Sequence, residues 1–299
     1  MSEAQDRRGY LGGTDISAIF GVNPWKSTYD LWEEKTAAEF VQPEIEPARE
    51  KRFRRGKKFE PWVIELLEEE HGIFVQKRNQ RYTDEEYPWM SCEIDFEYMG
   101  DLGLCNGEIK TISPFAAGEW GEEGTDELPL YYCLQFMWGL MITKRPMCLV
   151  GAMIGADDLR VYQVKRDEEL IASMRSKALQ FWKEHVEKRI APPPVTVSDV
   201  QKVLFRYGGF QVAWDEGIGE SLRKLREVKA TKKEVEALEK QYQLEIKQAL
   251  VVKAEAMGIT DAPKKFIIND ITGKRTASFG LVQRSGYTVG PSEFWELRV

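Results

Sequence analysis

Two histidines among 299 residues leave little material for a histidine-based metal site or for a Ser/His/Asp triad. The four cysteines, Cys92, Cys105, Cys133 and Cys148, form no CxxC pair, and each is set among apolar or strand-like residues. That spacing favours buried free thiols over disulfides or a zinc or iron–sulfur centre. No apolar run approaches the roughly 20 residues that span a bilayer. The start, Met1-Ser2-Glu3-Ala4-Gln5-Asp6-Arg7-Arg8, lacks the apolar stretch of a signal peptide. A soluble, cytoplasmic protein without membrane attachment is the expectation. Any metal must be held by oxygen, which points to Mg²⁺, with Mn²⁺ as a substitute.

Net charge is −7, which at first sight disfavours a polyanionic ligand. The distribution matters more than the sum. Lys51-Arg52-Phe53-Arg54-Arg55-Gly56-Lys57-Lys58 carries six basic residues in eight positions. Screening confines a surface field to about 10 Å at 0.1 M salt, so a dense patch with Arg54, Arg55, Lys57 and Lys58 can hold a phosphate backbone on an acidic protein. The run stands just before an amphipathic helix expected at Glu60–Glu70, where Pro61 would be a first-turn proline.

The fold class follows from the order of patterns. Helices are expected at Asp15–Phe20 and at Ser27–Lys35, the second capped by Ser27 or Thr28. Strands follow at about Gly72–Tyr82, Trp89–Tyr98 and Gly103–Ile112. A helix at Leu130–Ile142 buries Leu130, Leu134, Met137, Trp138 and Met141, and strands return at Cys148–Ile154 and Arg160–Val164. This is an α/β (α+β) arrangement, a mixed central β-sheet flanked by helices. Pro192-Pro193-Pro194 ends the helical stretch Asp167–Lys188 and divides a domain over residues 1–190 from a module over 195–299. In the module, Leu222, Leu225, Val235, Leu238, Tyr242 and Ala249 follow an approximate heptad, as a long helix or a helical hairpin. A β-hairpin is expected over Lys265–Val289, turning at Asp270-Ile271-Thr272-Gly273.

One constellation carries chemistry. Glu-x-Lys occurs four times, but only Glu108-Ile109-Lys110 lies in a strand-like context with an acid, Asp95, on the preceding strand. Alternation turns Glu108 and Lys110 to one face and Ile109 to the core. Two carboxylates and a lysine at one point suit a hard divalent cation: the acids hold the ion, and the lysine orients or helps deprotonate the attacking water. Alternation also places Glu93 and Glu97 on the face of Asp95. The bland reading is a hairpin with a surface ion pair.

Gly12-Gly13-Thr14-Asp15-Ile16-Ser17-Ala18-Ile19-Phe20-Gly21, followed by Pro24-Trp25-Lys26-Ser27-Thr28-Tyr29-Asp30-Leu31-Trp32, resembles the opening of the YqaJ-type viral recombinases. These are phage exonucleases related to lambda exonuclease within the PD-(D/E)XK superfamily. Arg55-Gly56-x-x-x-Glu60-Pro61, Asp95…Glu108-x-Lys110 and Tyr132-x-x-Gln135 follow in the family's order, so the resemblance covers roughly residues 8–190. It implies metal ligation by Asp95, Glu108 and the backbone carbonyl of Ile109, with Glu60 joining through water. Lys110 would act on the water and Gln135 would reach the same site from its helix. Thr14 and Tyr132 would touch DNA, and Arg7 or Arg8 would bind a terminal 5′-phosphate. The family's Pro-Asp is Ile94-Asp95 here.

The activity implied is a Mg²⁺-dependent 5′→3′ exonuclease on double-stranded DNA ends, encoded by a phage or prophage. It would make 5′-phosphate products and leave 3′ tails for a single-strand annealing protein, as a homo-oligomer with a trimeric ring the first expectation. The competing readings are a structure-specific or restriction-type endonuclease and a non-catalytic recombination scaffold.

Overall fold

The computed structural model describes residues 6–41, 46–205, 215–258 and 265–280. The chain divides into two compact units, Met1–Arg206 and Tyr207–Val299.

The first unit is a five-stranded sheet between helices. Strands β1 (Val75–Thr83), β2 (Ser91–Gly100), β3 (Gly103–Ile112), β4 (Met147–Ile154) and β5 (Asp158–Lys165) lie side by side in chain order. All neighbours are antiparallel except β3 and β4, which run parallel with Glu108 opposite Val150 and Lys110 opposite Ala152. A parallel pair needs a crossover. Helix α4 (Leu130–Thr143) supplies it.

Helix α4 shares the larger core with α1 (Gly13–Ile19), α2 (Thr28–Thr36) and α5 (Glu168–Phe181). Leu134, Met137, Trp138 and Met141 are buried as their spacing predicts, whereas Leu130 is exposed at the helix start. Phe136, Leu140 and Ile142 are buried too, so the second half of α4 is covered nearly all round. The other face of the sheet is covered by α3 (Pro47–His71), whose Val63, Ile64 and Leu67 pack on Phe96, Ile109 and Leu149.

Helix α3 corrects one expectation. It starts at Pro47, and Pro61 lies in its interior rather than in its first turn. A proline there removes the hydrogen bond to the carbonyl four residues back. The burial of Val63, Ile64 and Leu67 against the sheet outweighs that loss and carries the helix through. The basic run therefore lies on exposed turns of the same helix as Glu60.

The first unit extends beyond the prolines. Helix α6 (Val197–Phe205) is tied to α2: the buried Asp199 accepts from Ser27 Oγ at 2.7 Å, and Lys202 pairs with Asp30 and Glu33. Ser27 is also the N-cap of α2, accepting from the Asp30 N–H. The division thus falls after Arg206, not at residues 190–195.

In the second unit, α7 (Glu216–Ala256) is one continuous helix of 41 residues, capped by Asp215, rather than a helical hairpin. Strands β6 (Lys265–Asn269) and β7 (Arg275–Gly280) form the expected β-hairpin around Asp270, whose carboxylate accepts the Thr272 and Lys274 N–H groups. The expected residues 281–289 lie outside the described residues. Among the described residues no helix is long and apolar enough to cross a membrane. All four cysteines are free, three of them buried.

Simple alternation fails along β2. Ile94 packs in the core under α4, yet Phe96 packs in the core under α3. Glu97 consequently leaves the face of Asp95 and is buried against Arg145 Nη2 at 2.8 Å, beside the Tyr82 hydroxyl. Arg145 also donates to Asn106 Oδ1. Burial works against the Glu97 carboxylate, but the bonds from Tyr82 and Arg145 hold its pKa below the ordinary carboxylate value.

Breaking such a pair leaves an uncompensated buried charge, so Arg145→Met lowers unfolding free energy by about 3–5 kcal/mol in urea titrations at pH 7. Glu97→Gln added to it recovers much of the loss. The sign of the pH dependence follows from the lowered pKa: this stabilisation is present above the unfolded-state value and is lost as pH falls through the folded one. An Arg145→Met variant as stable as the native protein at pH 7 would refute the account.

Candidate active site

Strand β2 pairs with β3 only from Phe96, opposite Gly107, onward. One residue earlier the side chain takes over from the backbone: Asp95 Oδ2 accepts the Ile109 N–H at 2.8 Å. Asp95 is thereby fixed against the middle residue of Glu108-Ile109-Lys110. Ile109 turns into the core under α3, as alternation requires, and Glu108 and Lys110 turn together toward α4. Lys110 Nζ stands 2.8 Å from Glu108 Oε2 and over the rings of Phe136 and Tyr132, at 5.1 and 5.7 Å from their centroids.

Helix α4 contributes Gln135, whose Nε2 donates to the same Glu108 oxygen at 3.4 Å. Gln135 is placed by the packing of α1 on α4. A Cβ on Gly13 would sit 3.0 Å from Gln135 Cγ and 3.2 Å from its carbonyl oxygen, so any larger residue there would push α4 or the Gln135 side chain by a few tenths of an ångström.

These residues line a cavity of about 270 Å³ that includes Asp95, Glu108, Lys110 and Gln135, together with Glu93, Arg7 and Thr14. Glu60, half-buried on α3, faces the same cluster: burial and then the charge of Asp95 raise its pKa, against Lys57 and Lys110. Glu108 is buried, and its carboxyl is pushed up to about 7 by desolvation, opposed by Lys110 and reinforced by Asp95 and Glu60. Lys110 is held above the ordinary lysine value: burial opposes its charge, but Glu108 and Asp95 outweigh it. Three carboxylates thus crowd around Lys110, with Lys57 beside Glu60.

Helix α3 crosses β3 closely. A Cβ on Gly56 would lie 3.2 Å from Thr111 Oγ1, so the turn carrying Arg54, Arg55, Lys57 and Lys58 passes the residue that follows Lys110. Those four side chains are exposed.

The two arginines at the start of the chain separate. Arg7 lines the cavity, with Nη1 and Nη2 each 3.2 Å from Thr14 Oγ1. Arg8 turns away to Asp6 and to the carbonyls of Ala37 and Ala38. Tyr132 does not line the cavity; its ring packs against Trp120 and Phe136 and backs Lys110. Glu97 is removed to Arg145, whereas Glu93 stays at the cavity.

Sequence reasoning missed Asp15 and Lys35. Both are buried and joined at 3.1 Å, with Arg7 on the same Asp15 oxygen. The signal was present, since an acid at the start of an apolar helix and a lysine on a neighbouring one invite pairing. Nothing in the spacing of residues 15 and 35 fixes their contact.

Residues 4–146 match the model of the YqaJ-like viral recombinase domain. The chain is 26% identical over 189 residues to the protein YqaJ of Bacillus subtilis (strain 168), a match covering 62% of this chain. That match spans 56% of the relative's own length. Among solved structures, it is similar to an alkaline exonuclease, LHK-Exo, from Laribacter hongkongensis: 15% identity, TM-score 0.48, covering 68% of this chain and 96% of that one. A phage-related exonuclease from Haemophilus somnus 129PT aligns at 12% identity and TM-score 0.44, over 60% of this chain and 96% of that one.

The charge imbalance yields a stability prediction for the metal-free protein in EDTA. Glu108→Gln removes a buried carboxylate from among like charges and leaves thermal stability unchanged or higher. Lys110→Met removes the local cation and lowers it by roughly 1–3 kcal/mol. Calorimetry of the two variants tests this, and the opposite order would contradict the electrostatic description.

Proposed function

We propose that the first unit is a divalent-metal-dependent deoxyribonuclease acting on double-stranded DNA ends. The observation that carries this reading is the convergence of Asp95, Glu108, Lys110 and Gln135 on one cavity, with Glu60 in their field and a basic helical turn beside them. The match to a viral recombinase domain supports it.

The residues fit a hard cation by their donor chemistry. Among the described residues no group of three or more His, Cys, Asp or Glu is disposed to hold a metal. Two carboxylates and an amide remain, an all-oxygen set in which Mg²⁺ keeps several waters. Asp95 and Glu108 are the proposed direct ligands, joined by the Ile109 carbonyl, with Glu60 reaching the shell through water. Bound there, Mg²⁺ or Mn²⁺ supplies Lewis-acid polarisation of the scissile phosphate and a lowered pKa for its water.

The chain's own residues do the rest. Asp95 is fixed by the Ile109 N–H, so its second oxygen is oriented without reorganisation on binding. Lys110, held at Glu108 and backed by Tyr132 and Phe136, orients the attacking water and meets negative charge on the phosphate. Gln135 directs its amide into the same space. Arg7 and Thr14 receive a terminal 5′-phosphate in the cavity, which sets 5′→3′ polarity; the attacking water displaces the 3′ oxygen, and breaking the P–O3′ bond leaves the phosphate on the 5′ side. Arg54, Arg55, Lys57 and Lys58 hold the backbone of the duplex. The 3′ tail so exposed is the substrate of a single-strand annealing protein, and a trimeric ring would keep the enzyme on its DNA. The second unit would bind that partner or a neighbouring subunit.

Digestion of linear duplex DNA bearing 5′-phosphates, beside a covalently closed circle, in Mg²⁺ and in EDTA, tests the reading. Loss of the linear DNA alone, only in Mg²⁺, is expected. Glu108→Ala and Lys110→Ala reduce it by at least about 10²-fold. Cutting of the circle would replace the end-dependent reading with an endonuclease. DNA binding without cutting would leave a scaffold. Removing residues 207–299 is expected to weaken subunit or partner association and to spare cleavage; unchanged association in sedimentation experiments would overturn that role.

A further inference from the structure

The reading of Arg7 as the anchor for a 5′-phosphate leaves unexplained why an arginine near the start of the chain is held so firmly. Its side chain is tied to Asp15 Oδ2 at 3.1 Å. That oxygen also accepts from Lys35 Nζ at 3.1 Å and from the Gly12 N–H at 3.0 Å. Lys35 Nζ in turn donates to the backbone carbonyl of Arg7 at 2.9 Å. Arg7 is thus gripped at its guanidinium and at its own carbonyl, through one carboxylate and one ammonium that are both fully buried side chains. The other groups facing the cluster are Lys26, 3.7 Å from Asp15 Oδ1 and paired with Glu34, and Tyr10, whose ring lies under Arg7, Lys35 and Arg81.

We propose that Asp15, with Lys35, is a positioning residue: it fixes Arg7 toward the cavity so that a terminal phosphate on DNA is recognised by a preset guanidinium. The inference rests on the phosphate reading of Arg7 and deepens it. The electrostatics make the claim specific. Three cations, Arg7, Lys26 and Lys35, face two carboxylates, Asp15 and Glu34, and the adjoining Arg81–Glu93 pair is neutral, so the cluster carries one positive charge in excess. Arg7 and Lys26 are the cations of this cluster whose side chains remain partly exposed, and Arg7 lines the cavity. If attraction alone bound the phosphate, an acid at its centre would be a disadvantage. Its position is explained by orientation: a guanidinium ordered before binding loses less conformational freedom when the anion arrives.

The test separates orientation from charge. Asp15→Leu alone would strand Lys35 and risk the fold, so the informative variant is Asp15→Leu/Lys35→Met. It replaces a buried ion pair by apolar groups of similar size and leaves the excess charge unchanged. Binding of short duplexes with a 5′-phosphate or a 5′-hydroxyl is measured by fluorescence anisotropy in EDTA, so cleavage plays no part. The native protein is expected to prefer the phosphate about tenfold. Arg7→Ala and the double variant should each bring that preference to within about twofold, and combining them should change nothing further. A double variant that keeps the preference while Arg7→Ala loses it would overturn the positioning role. A native protein without preference, or an Arg7→Ala variant that retains it, would overturn the phosphate reading and the clamp with it. Thermal unfolding of the double variant within a few degrees of native certifies that the comparison is between folded proteins.

Discussion

The bond from the Ile109 N–H to Asp95 Oδ2 is the constraint on which the site depends. Two neighbouring strands part there, and a side chain replaces a backbone carbonyl as the acceptor. An unpaired amide at a buried position would cost about 1–3 kcal/mol, so the parting is tolerable only because the carboxylate satisfies it. The same event breaks the alternation of β2, sending Phe96 to one core and Glu97 to Arg145. One local irregularity thus gives the site its first carboxylate and removes a competing one.

Around that point the fold concentrates charge that does not favour folding. Glu108, Asp95 and Glu60 crowd around Lys110, and the Glu108 carboxyl is raised, first by its burial and then by the charges of Asp95 and Glu60. The buried layers under α4 and α3, which include the fully buried Trp138 and Phe96, hold the sheet against this repulsion. A binding site for cations or for phosphodiester chemistry is commonly placed where such tension exists, because the ligand relieves it. The Arg145–Glu97 and Asp15–Lys35 pairs show the opposite arrangement, in which buried charges are matched and fix geometry.

Much of this was legible in the sequence. Gly103–Ile112 reads as a strand and is one, and Leu130–Ile142 is α4 short of one residue. Periodicity sufficed because both segments are largely buried and their apolar residues recur at the spacing of a strand or a helix. It failed where tertiary packing overrides local pattern. The interior Pro61 is tolerated because the helix packs beyond it, and Glu97 leaves the face that strict alternation assigns to it. Helix α6 joins the first unit through Ser27–Asp199, a contact across 172 residues that no spacing announces. The choice between Arg7 and Arg8 is of the same kind. Adjacent residues of one type differ only in what lies opposite them, Asp15 for one and the Ala37–Ala38 carbonyls for the other.

The acidic balance of the whole chain and its basic helical turn are consistent once distance is considered. Arg54, Arg55, Lys57 and Lys58 project from α3 where it passes Thr111, one residue from Lys110. Over about 10 Å at 0.1 M salt, a polyanion near that turn responds to these charges more than to the net charge of −7. Acidic residues elsewhere disfavour a polyanion away from that turn. Such a surface weakens nonspecific adhesion more than it weakens binding at the cavity. On the proposed reading, productive contact therefore requires the DNA to engage the basic turn and the cavity together.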